Sequence, residues 1–189
     1  PEICKLDTIG TTFSGYKLLA VKISDNVNND ETEPEFFLGG QMHGDELIGG
    51  MVCLRLIDKL LREYGTNQDV TNLVDNIEIF INPLSNPEGT YIAGDNLDFS
   101  LRYTRNGIGL DHFIDMNRNF PDAIAGEHPD ENDYSFETEA FMQYADNHHF
   151  VMSANLHSGA EVVNYPFDTD SALPADNAWW KMVSQEYVA

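Results

Sequence analysis

Glu35-Phe36-Phe37-Leu38-Gly39-Gly40-Gln41-Met42-His43-Gly44-Asp45-Glu46 carries the reading of the fold. Its first half is a short apolar run ending in two glycines, the pattern of a buried strand that stops abruptly. Beyond it, Leu47, Ile48, Met51, Val52, Leu54, Leu56, Ile57, Leu60 and Leu61 recur with a helical period, and Gly65 supplies a stop. A buried strand that turns sharply into an amphipathic helix is the basic unit of an α/β sheet.

The rest of the chain extends that unit. Ile3 to Ile9 and Tyr16 to Ile23 alternate as half-buried strands do, and the Asn- and Asp-rich stretch Asp25 to Asp30 marks a loop. Ile77 to Ile81 is a further buried strand, closed by Asn82-Pro83. From Pro83 to Asp133 neither a strand nor a helix period persists, and irregular segments of that length are often functional. A second helix is expected from Ser135 to Asn147, a strand from Phe150 to Leu156, another strand from Val162 to Tyr165, and a helix beginning near Asn177. The expected architecture is one α/β domain over residues 1–189, a mixed central β-sheet with helices on both faces.

Composition narrows the function classes. The 189 residues are 42% hydrophobic, enough for a sizeable core. The longest apolar run, Val52 to Leu61, is interrupted by Arg55, Asp58 and Lys59 and cannot form a bilayer span. Pro1-Glu2-Ile3 lacks the basic start and apolar stretch of a signal peptide, and no initiating Met precedes it. A net charge of -22 disfavours nucleic acid and anionic membranes as partners and suits cationic ligands, or serves as a solvated coat. The two cysteines, Cys4 and Cys53, do not define a disulfide framework, and Cys53 falls on the apolar face of a helix.

The chemistry concentrates in the glycine-flanked turn. His43 and Glu46 are three residues apart, so one turn can aim both side chains at a single point. Two histidines and one glutamate, with a fourth position left to water, make a catalytic zinc site. The pair alone is equally compatible with an ordinary polar helix cap. Of the six histidines, His148 and His149 sit at a helix end, where the helix dipole accounts for them, and His112 and His128 fall in the irregular stretch. His157 follows a buried strand and precedes a small-residue turn, Asn155-Leu156-His157-Ser158-Gly159, and strand ends are where α/β sheets build sites.

Four segments occur in order: His43-Gly-Asp-Glu46, Asn82-Pro-Leu-Ser-Asn-Pro-Glu-Gly89, Asp115-Met-Asn-Arg-Asn-Phe-Pro-Asp122 and Ser153-Ala-Asn-Leu-His-Ser-Gly-Ala160. Together they resemble the zinc metallocarboxypeptidases, in particular the regulatory branch that includes carboxypeptidases N, E and D. The resemblance runs from Pro1 to at least Asp168. It implies one Zn2+ held by His43, Glu46 and His157, with Asp115 orienting the first histidine. It implies that Asn117 and Arg118 grip the substrate's terminal carboxylate, which a planar guanidinium does with two charge-assisted bonds. It assigns an oxyanion-stabilising arginine, which fits Arg105 better than Arg102. Asp168, in Asn164-Tyr165-Pro166-Phe167-Asp168, resembles the acid that selects C-terminal Lys or Arg.

The expected partners are therefore peptide or protein C-termini with basic last residues, and the resemblance favours a secreted or periplasmic compartment. Ser158 stands where relatives usually have glycine, and Asp45 where they often have asparagine. The family's general-base glutamate and a mobile tyrosine fall downstream of Ala189. Glu161 and Glu186 match neither, so the expectation is a chain that lacks its own general base and is by itself inactive or nearly so. The alternatives are an inactive homologue that binds metal or peptide, and a zinc peptidoglycan amidase or deacylase of the same fold.

Overall fold

The structure is a computed structural model describing residues 2–107 and 112–189. The described residues form seven strands and five α-helices, in chain order β1 Cys4–Thr11, β2 Lys17–Ile23, β3 Glu35–Gly40, α1 Leu47–Glu63, α2 Gln68–Val74, β4 Glu78–Asn82, α3 Pro87–Thr90, β5 Thr104–Arg105, β6 Phe113–Ile114, α4 Phe136–Asp146, β7 Phe150–Leu156 and α5 Asn177–Tyr187. Five strands form one sheet in the order β1-β2-β4-β3-β7. The β1–β2 and β2–β4 pairs are antiparallel, whereas β4–β3 and β3–β7 are parallel, so the sheet is mixed as expected.

Both faces of this sheet are covered by helices. Strand β4, buried at every position, divides its side chains between two cores. Ile79 and Ile81 pack with Leu38, Cys53, Leu60, Val70 and Val74 under α1 and α2, while Phe80 packs with Leu18, Ala20, Ala140 and Tyr144 under α4. Strand alternation thus feeds one core on each face. Both cysteines are free thiols, and burial pushes Cys53 up to about 11, an inert core group.

The expected strands and long helices are present with small shifts at their ends. Helix α4 begins where Ser135 Oγ accepts from the Thr138 N–H at 3.0 Å, and Glu137 and Glu139 occupy its first turn. The strand expected over Val162–Tyr165 does not form. Those residues make an irregular, largely exposed segment with no pairing partner among the described residues. Helix α2 was not expected from periodicity, because only Val70 and Val74 of its seven residues are buried. Its signal was the cap: Asn67 Oδ1 accepts from Asp69 N–H at 3.0 Å. Among the described residues no helix is long and apolar enough to cross a membrane.

The carboxyl ends of β3, β4 and β7 lie along one edge of the sheet. From β3 the chain crosses to β4 on one side, while the next parallel strand, β7, lies on the other. Such a switch of direction opens a crevice beside the strand ends.

Candidate metal centre

The loop from Gly40 to Glu46 is braced by the Asn82–Gly89 segment before any site can form. Ser85 Oγ donates to the Gly40 carbonyl at 2.9 Å, and the Ser85 N–H to the same oxygen at 3.1 Å. Gln41 has a left-handed backbone (φ 57°), unusual for a residue with a side chain. Its amide holds that conformation by donating to Thr90 Oγ1 at 2.8 Å. Asn86 caps α3 through the Gly89 N–H at 2.8 Å and donates to the Arg102 carbonyl at 3.1 Å. At Gly44 the packing is backbone against backbone: a Cβ there would sit 2.3 Å from the Leu101 carbonyl oxygen and 2.6 Å from Thr90 N. Only glycine fits.

This bracing turns His43 and Glu46 toward His157, which lies one residue past β7. The Gly40–Leu156 register sets β7 alongside β3 and so presents the two strand ends together. His43 is only 2% exposed. Its Nδ1 lies 2.9 Å from Glu46 Oε1 and 3.1 Å from His157 Nδ1, and His157 Nδ1 lies 2.9 Å from Glu46 Oε2. The Ser158 N–H donates to Glu46 Oε2 at 3.1 Å. One ligand atom from each of the three residues lies within 4.8 Å of the others.

Two imidazole nitrogens facing each other at 3.1 Å cannot both be satisfied without a shared proton or cation. In a tetrahedral zinc site with Zn–N bonds of about 2.0–2.1 Å, two nitrogens stand about 3.3 Å apart. The donor set of two imidazoles and one carboxylate, and the spacing, fit zinc. On its other side, His43 Nε2 lies 3.1 Å from Asp115 Oδ1, a partner that would hold the Nε2 proton when Nδ1 takes a metal. Burial acts to raise the Glu46 carboxyl, but the Ser158 N–H, His43 and His157 outweigh it and hold the group below the usual carboxylate range.

Asp115 is itself fixed by the β5–β6 ribbon, in which Thr104 pairs with Ile114, and it caps a short 3-10 turn by accepting from the Asn117 N–H at 3.0 Å. That turn carries the expected carboxylate clamp. Asn117 lines a cavity of about 320 Å³ between the sheet and α4, with Met42, Phe120, Phe141 and Asn155. Arg118 is exposed, and its Nη1 donates to the Asn117 carbonyl at 2.7 Å.

The two arginines before the clamp are placed differently. Arg102 reaches the cluster: Nη1 lies 3.4 Å from Glu46 Oε1 and Nε 3.4 Å from Asp115 Oδ2. Arg105 lies half-buried on the ribbon and makes no side-chain hydrogen bond or ion pair among the described residues. Asp168 is exposed on the irregular segment after β7, and among the described residues no hydrogen bond ties it to the cluster. Sequence reasoning did not single out Gln41, Asn86 and Thr90, and it ranked Arg102 second. The supports were visible only as part of a motif whose spacing gives no hint of which loop it braces.

The zinc carboxypeptidase family model matches residues 1–189. The chain is 39% identical over 174 residues to carboxypeptidase D of Homo sapiens, covering 90% of this chain and 12% of that protein. It is 36% identical to carboxypeptidase M of Mus musculus, over 88% of this chain and 36% of that protein. With the Mus musculus carboxypeptidase N catalytic chain it shares 34% identity, over 89% of this chain and 40% of that one. This chain thus spans well under half the length of these curated relatives. Among solved structures, thrombin activatable fibrinolysis inhibitor superposes with a TM-score of 0.83 at 19% identity, over 98% of this chain and 50% of that one. Carboxypeptidase A from Helicoverpa armigera superposes at 0.81 and 20% identity, over 98% and 48%. These two structures share the fold.

Proposed function

Because the chain belongs to the zinc carboxypeptidase family, we propose that this protein hydrolyses the C-terminal peptide bond of peptides, with zinc held by His43, Glu46 and His157. The observation that carries the reading is the meeting of His43 Nδ1, Glu46 and His157 Nδ1 at one point, with Asp115 behind His43. Bound there, zinc would polarise the scissile carbonyl and acidify a water.

The protein's own groups divide the remaining work. Asp115 keeps the His43 proton on Nε2 and the ring in its orientation. Arg118 and the Asn117 amide take the substrate's terminal carboxylate, which restricts cleavage to chain ends. Arg102 is engaged with Glu46 and Asp115 and spreads its charge over those two carboxylates. Arg105 is left to donate to the developing oxyanion. Asp168 selects a C-terminal Lys or Arg, a preference in keeping with a net charge of -22. Neither Glu161 nor Glu186, both exposed, serves as the general base.

The test is metal content and peptide hydrolysis by the intact protein beside its His157→Ala variant. One zinc per chain in the wild type, lost with activity in the variant, is expected; unchanged stoichiometry in the variant removes the third ligand. Glu161→Gln and Glu186→Gln should retain wild-type rates. Asp168→Asn should lower kcat/KM for a C-terminal Arg peptide relative to one ending in Leu. An unaltered ratio removes the basic preference and leaves the metal site standing.

A further inference from the structure

The amino ends of β3 and β4, at the opposite edge of the sheet from the His43 cluster, carry a second group of metal-type ligands. They lie roughly 17 Å along β3 from Gly40, at about 3.3 Å per residue. Glu35 and Glu78 are the first residues of these neighbouring parallel strands and stand side by side in the register, so both side chains issue from the same face. Asp30, on the β2–β3 connection, completes the group: one oxygen from each of the three carboxylates lies within 4.8 Å of the others.

An acidic cluster on a surface is ordinary. This one is not all on the surface. Glu78 is 0% exposed, and Glu35 is buried. Buried carboxylates normally collect several N–H or O–H donors. Glu88 does so elsewhere in this molecule, accepting from Thr12 Oγ1, the Ser14 N–H and Ser14 Oγ. Glu78 Oε1 is ion-paired with the Lys22 ammonium, its one counter-charge, whereas Oε2 is buried with no partner among the described residues. Glu35 accepts from the His149 N–H. Among the described residues only one of the three carboxylates has an ion-paired ammonium, and a buried carboxylate oxygen left without a partner is expensive.

The surroundings are those of a hard-cation site. Asp30 and Glu35 line a cavity of about 330 Å³ together with Asn28, Asn29 and Asn147, whose amide and main-chain oxygens are neutral donors of the kind that complete such a shell. Lys5, Lys22, His148 and His149 border the same space. Next to it, Asp25, Glu31 and Glu33 form another triplet, with Glu33 Oε2 buried and without a partner among the described residues. Burial, then Asp25, Glu31, Glu78 and Asp75, push the Glu33 carboxyl up, so the crowding of like charge reaches across both groups.

We propose that Asp30, Glu35 and Glu78 bind a calcium ion that ties the β2–β3 connection to the amino ends of β3 and β4. Oxygens on one coordination shell of about 2.4 Å radius lie at most about 4.8 Å apart, which the three carboxylates satisfy. Calcium suits the site better than magnesium. It accepts six to eight oxygens in irregular geometry, whereas magnesium requires a near-ideal octahedron and retains its waters.

The test uses the intact protein, stripped of calcium on a chelating resin and resupplied with zinc. Calcium is titrated by calorimetry and its effect on thermal unfolding recorded. One saturable site with a Kd at or below about 1 mM, and a melting temperature that rises with calcium, are expected. Asp30→Asn, on an exposed loop far from the zinc ligands, should weaken calcium binding roughly tenfold or more while leaving zinc content unchanged. Glu78→Gln should abolish the increment in melting temperature that calcium adds. No saturable binding up to about 10 mM calcium overturns the proposal. So does unaltered affinity in Asp30→Asn, which decides the matter should Glu78→Gln fail to fold. Equal binding of magnesium overturns the assignment to calcium.

Discussion

Replacing Glu137 with glutamine isolates a buried carboxyl whose titration works against the fold. Glu137, in the first turn of α4, is 0% exposed. Thr104 Oγ1 donates to its Oε1 at 2.6 Å, while Oε2 is buried with no partner among the described residues. Burial pushes the group up from 4.5 to about 7; the Thr104 hydroxyl and the group's own N–H oppose the rise, and Glu88 adds to it. The folded state therefore holds this proton more tightly than the unfolded chain. Its stabilising effect is fully present below pH 4.5 and is lost as pH rises through 7. From these two values the ionisation penalty is about 0.8 kcal/mol at pH 5 and about 3.3 kcal/mol at pH 8, a difference of about 2.5 kcal/mol. Glutamine does not titrate, and any fixed cost of its unpaired amide cancels between the two pH values. Denaturant unfolding of wild type and Glu137→Gln at pH 5 and pH 8 should show the variant gaining about 2.5 kcal/mol on the wild type between them. A carbon-13 titration of the Glu137 carboxyl should show its midpoint near 7. Equal differences at both pH values, with a carboxyl titrating at its ordinary value, refute the reasoning.

Other perturbations bear on the metal centre. Asp115→Asn leaves His43 Nε2 facing an uncharged amide and should lower zinc affinity about 10- to 100-fold, measured by competition with a chromophoric chelator. Gly44→Ala drives a methyl into the Leu101 carbonyl and should cost about 1–3 kcal/mol in denaturant unfolding while loosening zinc. Arg118→Ala should lower kcat/KM for peptides with a free C-terminus by roughly ten- to 150-fold, the loss of about 1.5–3 kcal/mol of charged hydrogen bonding, and Arg118→Lys should not restore it. Arg105→Ala should reduce kcat by about 10²–10³-fold, whereas Arg102→Ala should act on zinc retention; the reverse pattern exchanges their roles.

Much of this molecule was legible before any coordinates. Apolar runs ending in glycine or Asn-Pro located the buried strands, and the helical period over Leu47–Leu61 located α1 to within two residues of its observed end at Glu63. His148 behaves as its position suggested: at the end of α4 its Nδ1 lies 2.8 Å from the Tyr144 carbonyl, and its ring stacks on Phe150. Two elements escaped for opposite reasons. Helix α2 is too polar to show a period, and Val162–Tyr165 has strand-like residues but, among the described residues, no strand beside it to complete a ladder. The meeting of His43, Glu46 and His157 could be anticipated, because donor side chains at strand ends stand out in the sequence. The choice between Arg102 and Arg105 could not, since it depends on how a two-stranded ribbon of four paired residues turns. Nor does spacing reveal that Glu78 Oε2 lacks a partner among the described residues; that is a property of its neighbours in space.

The pairing of β7 with β3 has a consequence for how the fold is checked. Among the described residues β7 is the last strand of the sheet, held along one side only. A slip of one residue against β3 would carry His157 about 3.3 Å along the strand and turn alternate side chains to the wrong face. The histidine would then miss Glu46 and His43. On the proposed zinc reading, metal capture would proofread strand alignment: a chain with β7 mispaired could not hold the ion, and one with β7 in register would have that strand end fastened to the loop that follows β3.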